Sequence, residues 1–246
     1  MIELDGSRLV PANGKAKSLV LLLHGVGAKG ADLLDLAHAL QSYLPESLLV
    51  APNAPFPFDG ASMRLQWLLA KFARACAGAL FEARPPRLQW FSLRDRTPDV
   101  RLANLREAAH ILNIYADRLL SSLGLPPEKL AYVGFSQGGH VALYASLRHS
   151  APIAGAVSFC GALPDTPALE KDILGKPPIL LIQGETDDVV PYRAQVRTGA
   201  LLEAAGVSVE AVVRPGLGHA IDPKGIALAG TFLRRVLAGD SVGISV

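Results

Sequence analysis

Cysteine is nearly absent from this chain of 246 residues, with Cys76 and Cys160 as the only two. Two cysteines make neither a disulfide framework nor a cysteine-based zinc cluster, which leaves a reducing, cytoplasmic setting as the expectation. Charge is scarce at 19% of residues and nearly balanced, with 24 lysines and arginines against 22 aspartates and glutamates. No overall field follows that would draw the chain to nucleic acid or hold it on an anionic membrane. Missing too is any apolar run near the roughly 20 residues that a membrane helix needs, so no stable membrane insertion is expected. Residues 1–5 carry no basic region leading into an apolar stretch, so no secretory leader is expected. Architectural repeats are lacking as well. The tetrapeptide Arg-Leu-Gln-Trp recurs at 64–67 and 87–90, too little to define a repeat.

What is present is apolar residue, half of the chain, enough for a large core and too much for a disordered one. It comes in short continuous runs over 18–23, 48–51, 129–135, 153–159, 178–182 and 207–213, the pattern of strands buried on both faces. Between them lie helical patterns. Residues 32–44 carry an apolar stripe stopped by Pro45, and 98–123 a longer one closed by Gly124 and Pro126. Further helices are expected over 136–148, 191–205 and 222–237, while the prolines at 52, 55 and 57 read as an extended loop. Strands alternating with helices imply an α/β fold, a mostly parallel central sheet with helices on both faces, in one domain over 1–246 with no dividing linker. Residues 62–81 stand apart. As a helix they leave only a narrow polar stripe through 64, 71, 74 and 78, so the segment wants cover, as a cap on an apolar pocket, a subunit contact or a core helix.

Gly134-Phe135-Ser136-Gln137-Gly138 breaks an apolar run at a serine and opens a helical pattern. Glycine two residues before and two after permits a strand to hand over to a helix through a very tight turn, which would expose the Ser136 hydroxyl with the Gln137 N–H beside it. A serine hydroxyl is a poor nucleophile without a base. Of the six histidines, His219 follows a strand through a glycine-rich loop, whereas His38, His110, His140 and His149 sit inside helical patterns and His24 shapes the start of a glycine loop. A carboxylate should then orient the imidazole, and Glu185, Asp187 and Asp188 all lie between the strand over 178–182 and Pro191, with Asp187 narrowly ahead of Asp188. The order Ser, Asp, His is that of α/β-hydrolases. For the oxyanion that forms during acyl transfer, backbone donors are expected from Gln137 and from Val26 in His24-Gly25-Val26-Gly27. Gly25, Gly27 and Gly30 also match the spacing of a dinucleotide loop, a reading that the downstream acid and histidine outweigh. Neither cofactor nor metal is called for. The competing non-enzyme reading is a catalytically silent binding module on a hydrolase fold.

These motifs resemble the phospholipase/carboxylesterase family of α/β-hydrolases, which includes the acyl-protein thioesterases. Residues 22–27 resemble its oxyanion loop, 51–55 its proline-rich loop, 134–139 its elbow, Gly184 with Asp187 and Val189-Val190-Pro191 its acid motif, and Gly218-His219 its histidine. The resemblance favours Asp187 over Asp188 as the triad acid. It implies cofactor-free hydrolysis of short- to medium-chain acyl esters as small-molecule substrates, with a protein thioester or a lysophospholipid as the alternative, and frequent assembly as a homodimer. The segment 87–95 resembles one that follows the proline-rich loop after a short gap in the family, and here 61–86 lengthens that gap. Gln183 stands where relatives often carry histidine, a change expected to be remote from the proton transfers.

Overall fold

The structure, a computed structural model, describes residues 4–60 and 87–239. The helix expected over 62–81, and with it the insertion over 61–86, lies outside the described residues. In chain order, strands β1 (Gly6–Leu9) and β2 (Ser18–Leu23) precede a single 3₁₀ turn (Gly30–Leu33) and helix α1 (Leu34–Gln41). Next come β3 (Ser47–Pro52), the two-residue strands β4 (Phe56–Pro57) and β5 (Leu88–Gln89), and the long helix α2 (Pro98–Leu123). The rest alternates as β6 (Leu130–Phe135), α3 (Gln137–Arg148), β7 (Gly155–Phe159), β8 (Ile179–Gly184), α4 (Tyr192–Ala204), β9 (Val209–Arg214) and α5 (Pro223–Ala238).

Seven strands form one sheet in the order β1-β3-β2-β6-β7-β8-β9. All neighbours pair in parallel except β1, which runs antiparallel along β3 at the edge. This is the α/β-hydrolase type of sheet that the sequence predicts. The strand β2 is buried at all six positions and feeds both faces. Leu19, Leu21 and Leu23 pack with Leu105 and Leu112 of α2 and Val141 of α3, while Val20 and Leu22 pack with Leu40 of α1 and Leu233 of α5. Each such leucine contributes about 1.5–3 kcal/mol by leaving water. Helix α2 starts with Thr97 at its N-cap and Pro98 in its first turn, and stops where Gly124 takes a φ of 64°.

Three strands, β1, β4 and β5, escape the sequence reading. β1 is four residues long and alternates exposed with half-buried, giving no apolar run to detect. Phe56–Pro57, read as extended loop, pairs with Leu88–Gln89 across the 61–86 segment, a contact that local pattern does not encode. The consequence of the parallel order is that the loops after β2, β6, β8 and β9 all leave the sheet at its carboxyl edge, where α/β sheets bind ligands.

Candidate active site

At the end of β6, Ser136 adopts φ 55° and ψ −117°, a backbone region that costs a non-glycine residue on the order of 1–3 kcal/mol. The surrounding contacts hold it there. Its N–H donates to the Phe159 carbonyl at 2.9 Å and its carbonyl accepts from His140 N–H at 3.1 Å. A Cβ on Gly134 would run into the Gly138 carbonyl, and one on Gly138 into the Leu23 carbonyl, so both flanking glycines are required by close backbone approach. The elbow is thereby pressed against the end of β2.

The loop after β2 is built around a buried histidine. His24 Nε2 accepts from Ala54 N–H at 3.0 Å, so its proton sits on Nδ1, which donates to the Gly25 carbonyl at 2.8 Å. Burial lowers the His24 pKa, against the pull of that carbonyl and of Asp32, and the ring stays neutral. Trp90 completes the brace: its indole N–H donates to the His24 carbonyl at 2.9 Å. Trp90 N–H in turn donates to Gln137 Oε1 at 2.9 Å, and Gln137 Nε2 donates to the Phe91 carbonyl at 2.8 Å. The side chain beside the serine therefore ties the elbow to the segment that supports the glycine loop. In that loop the N–H groups of Gly27, Ala28, Lys29 and Gly30 each have an acceptor, which leaves no free amide array for a pyrophosphate. Val26 N–H and Gln137 N–H have none among the described residues, and both residues line the same cleft as Ser136.

After β8, the carboxylate of Asp187 is buried and fully engaged. Oδ1 accepts from the N–H groups of Val189 and Val190, both at 2.9 Å, and Oδ2 from His219 Nδ1 at 2.7 Å. Burial alone would raise this carboxyl, but the His219 hydrogen bond and charge, with the two backbone donors, hold it below its ordinary value. Asp188 is exposed, and exposed Glu185 accepts from Gly216 N–H at 2.8 Å. Of the three acids, Asp187 is the one against the histidine. The expectation that Gln183 is remote from the chemistry is corrected: its Nε2 donates to Asp187 Oδ2 at 2.7 Å and to the Val190 carbonyl at 2.7 Å. A residue four positions from the acid gives no sequence signal of that contact, which arises because the loop folds back on the end of β8.

His219 packs in a tilted ring contact against Phe135, the residue before the serine, with ring centroids 4.9 Å apart and 40° between the planes. No hydrogen bond joins Ser136 Oγ to His219 among the described residues; the structure brings Asp187 and His219 into bonding contact, and the Phe135 ring next to the serine in sequence meets the imidazole. The Sγ of Cys160 also lies near: one ligand atom each from Cys160, Asp187 and His219 fall within 4.8 Å of one another. Burial and the Asp187 charge push the Cys160 thiol up to about 12, so it is a protonated thiol at neutral pH and a poor third metal ligand. Above Ser136 opens a cleft of about 370 Å³, shared by Val26, Gln137 and His140. Burial, then the Arg101 charge, lowers the pKa of His140 to about 3, so it is a neutral wall and not a base.

A model of the phospholipase/carboxylesterase family matches residues 78–237. Carboxylesterase SOBER1 of Arabidopsis thaliana is 26% identical over 238 residues, covering 92% of this chain and 93% of its own. Acyl-protein thioesterase 1 homolog 1 of Dictyostelium discoideum is 25% identical over 224 residues, covering 89% and 90%. Among solved structures, esterase PE8 is 33% identical and superposes with a TM-score of 0.80 over 96% of this chain and 100% of that one. Arabidopsis thaliana SOBER1 superposes with a TM-score of 0.73 over 90% of this chain and 100% of that one, at 23% identity, a likeness of fold.

Proposed function

The chain belongs to the phospholipase/carboxylesterase family and is a carboxylic-ester hydrolase of the carboxylesterase and acyl-protein thioesterase kind, and from that premise we propose a serine carboxylesterase acting on short- to medium-chain acyl esters through Ser136, His219 and Asp187. The observation that carries this reading is the 2.7 Å contact between Asp187 Oδ2 and His219 Nδ1, at the same sheet edge as a strained serine elbow. With its Nδ1–H donating a hydrogen bond to Asp187, His219 has Nε2 free to accept a proton. Ser136 Oγ attacks the acyl carbonyl as His219 Nε2 takes its proton, and the N–H groups of Val26 and Gln137 receive the charge on the carbonyl oxygen. His219 returns the proton to the leaving alcohol, and water repeats the sequence on the acyl-enzyme. A hydrogen bond between Ser136 and His219 is not required in the free enzyme, since catalytic hydrogen bonds often form only once substrate binds.

The same reading takes 1–246 as one α/β-hydrolase domain, because a single sheet draws strands from residue 6 to residue 214. No helix among the described residues is long and apolar enough to cross a membrane. With its one described cysteine a buried free thiol, a cytoplasmic setting goes with the proposal. Labelling by a fluorophosphonate probe and hydrolysis of p-nitrophenyl butyrate test it. Ser136→Ala is expected to lose labelling and to lower kcat by at least ~10⁴-fold; a variant that keeps full activity would remove Ser136 from the mechanism. The Dictyostelium relative's name favours thioesters as a second substrate group. Comparing kcat/KM on an ester and a thioester of the same acyl chain separates the two, because only differential transition-state binding is read.

A further inference from the structure

Basic and acidic residues are nearly balanced over the chain, 24 against 22, yet the cleft above Ser136 is not balanced. Arg96, Arg101, Arg193 and Arg197 line it, against the single carboxylate of Asp165. The four arginines come from two separate places, residues leading into and opening α2 and the first turns of α4, so their convergence is a tertiary event and not a basic run in sequence. Asp165 offsets little, since it stands 3.9 Å from Arg197 with both side chains mostly exposed.

Arg101 is the informative member. It is half-buried, and its guanidinium has neither ion-pair nor hydrogen-bond partner among the described residues. Burial and the neighbouring Arg96 charge both lower its pKa, which means the charged form is held at a cost. Across the same space His140 is neutral and adds no further positive charge. An anion entering the cleft would relieve this arrangement, and a guanidinium fork matches the two oxygens of a carboxylate. The cleft, at about 370 Å³, has room for a small ester and not for a polynucleotide. Because Ser136 and the arginines line one cleft, an anion held there can belong to the molecule whose carbonyl meets Ser136.

We propose that the preferred substrates are esters bearing a carboxylate remote from the scissile bond, bound by Arg101 with Arg96, Arg193 and Arg197 around the mouth of the Ser136 cleft. This rests on the esterase reading above and narrows it to a substrate class. Neutral short-chain esters are then turned over as truncated substrates, without the interaction that positions the anionic ones.

The test uses pairs that differ in one charge. With the charge on the acyl chain, mono-p-nitrophenyl adipate is compared with p-nitrophenyl hexanoate; with the charge on the alcohol, 4-acetoxybenzoate is compared with its methyl ester. At low salt at least one anionic member is expected to exceed its neutral partner by about tenfold or more in kcat/KM, with the ratio shrinking as ionic strength rises. In Arg101→Gln that ratio should fall by at least about fivefold, and the arm that responds tells whether the charge lies on the acyl or the alcohol side. Calorimetric binding of adipate to Ser136→Ala gives a readout independent of turnover, and it should weaken when Arg101→Gln is added. If Arg101→Gln fails to fold, the surface pair Arg193→Gln and Arg197→Gln replaces it. Equal rates within both pairs, or ratios and adipate binding untouched by these substitutions, would overturn the proposal while leaving neutral-ester hydrolysis to stand. Loss of the esterase reading itself looks different: neither neutral nor anionic ester is hydrolysed and the fluorophosphonate probe does not label Ser136.

Discussion

Asp187 is distinguished from its neighbours by where its two oxygens point. One is held by the Val189 and Val190 N–H groups and the other is shared between His219 and Gln183, so the carboxylate cannot turn away from the imidazole. Asp187→Asn keeps the shape but offers His219 an amide, which allows the wrong tautomer. A drop in kcat of about 10⁴-fold with KM little changed is expected, measured on p-nitrophenyl butyrate. A fall confined to KM would assign Asp187 to substrate binding. Adjacent acids at 187 and 188 are nearly alike as a sequence pattern, with Asp187 narrowly ahead, and the resemblance to the family's Val-Val-Pro motif widens the gap. Gln183 illustrates the opposite case, since nothing in its spacing announces that it bonds the acid.

The working element is the strand-turn-helix of β6 and α3, and its glycines act by permitting backbone contact. Gly138→Ala would drive a methyl into the carbonyl of Leu23 at the end of β2, with no flexible side chain to yield. A loss of at least about 3 kcal/mol in stability, read by urea unfolding, is expected for this variant. Gly199→Ala in α4 is the contrast. Its added methyl would meet only Leu181 Cδ1 at an ordinary 3.8 Å, so the variant should be neutral or up to about 1 kcal/mol more stable through helix propensity. Equal effects at both positions would mean that close approach at the elbow is not what requires Gly138. The elbow was legible because its tight geometry admits few residue types. The Trp90–Gln137–His24 brace that supports it was not, because its partners lie 47 and 66 residues apart.

At the scale of the whole molecule, the buried histidines His24 and His140 contribute to the response to acid. His140 in the folded protein stays unprotonated down to about 3, whereas in the unfolded chain it takes a proton below about 6.5. Between those values the unfolded state binds more protons, so stability declines as the pH falls. The slope from this one group is at most about 1.4 kcal/mol per pH unit. His24, lowered by burial as well, acts in the same direction. Asp187 and Asp222 come later: their folded values are depressed, so their contribution is present above the ordinary carboxylate value and lost only as the pH falls through the folded one. Thermal melts from pH 7 to pH 4 should show wild-type Tm declining already below about 6.5, with a shallower decline in His140→Gln. Parallel curves for the two proteins would mean that His140 is protonated in the fold.

The sequence by itself determined the alternation of buried strands and helices, the serine turn and the order of serine, acid and base, because these rest on local periodicity and on steric demands that few residues meet. Local pattern barely separated Asp187 from Asp188, which the resemblance to the family's acid motif favoured, and it did not determine that Gln183 joins the acid or that four arginines line the cleft into which Ser136 opens. Those features depend on which loops share the carboxyl edge of the sheet. That is decided by strand order, and strand order follows from packing two apolar faces under helices whose partners are distant in the chain.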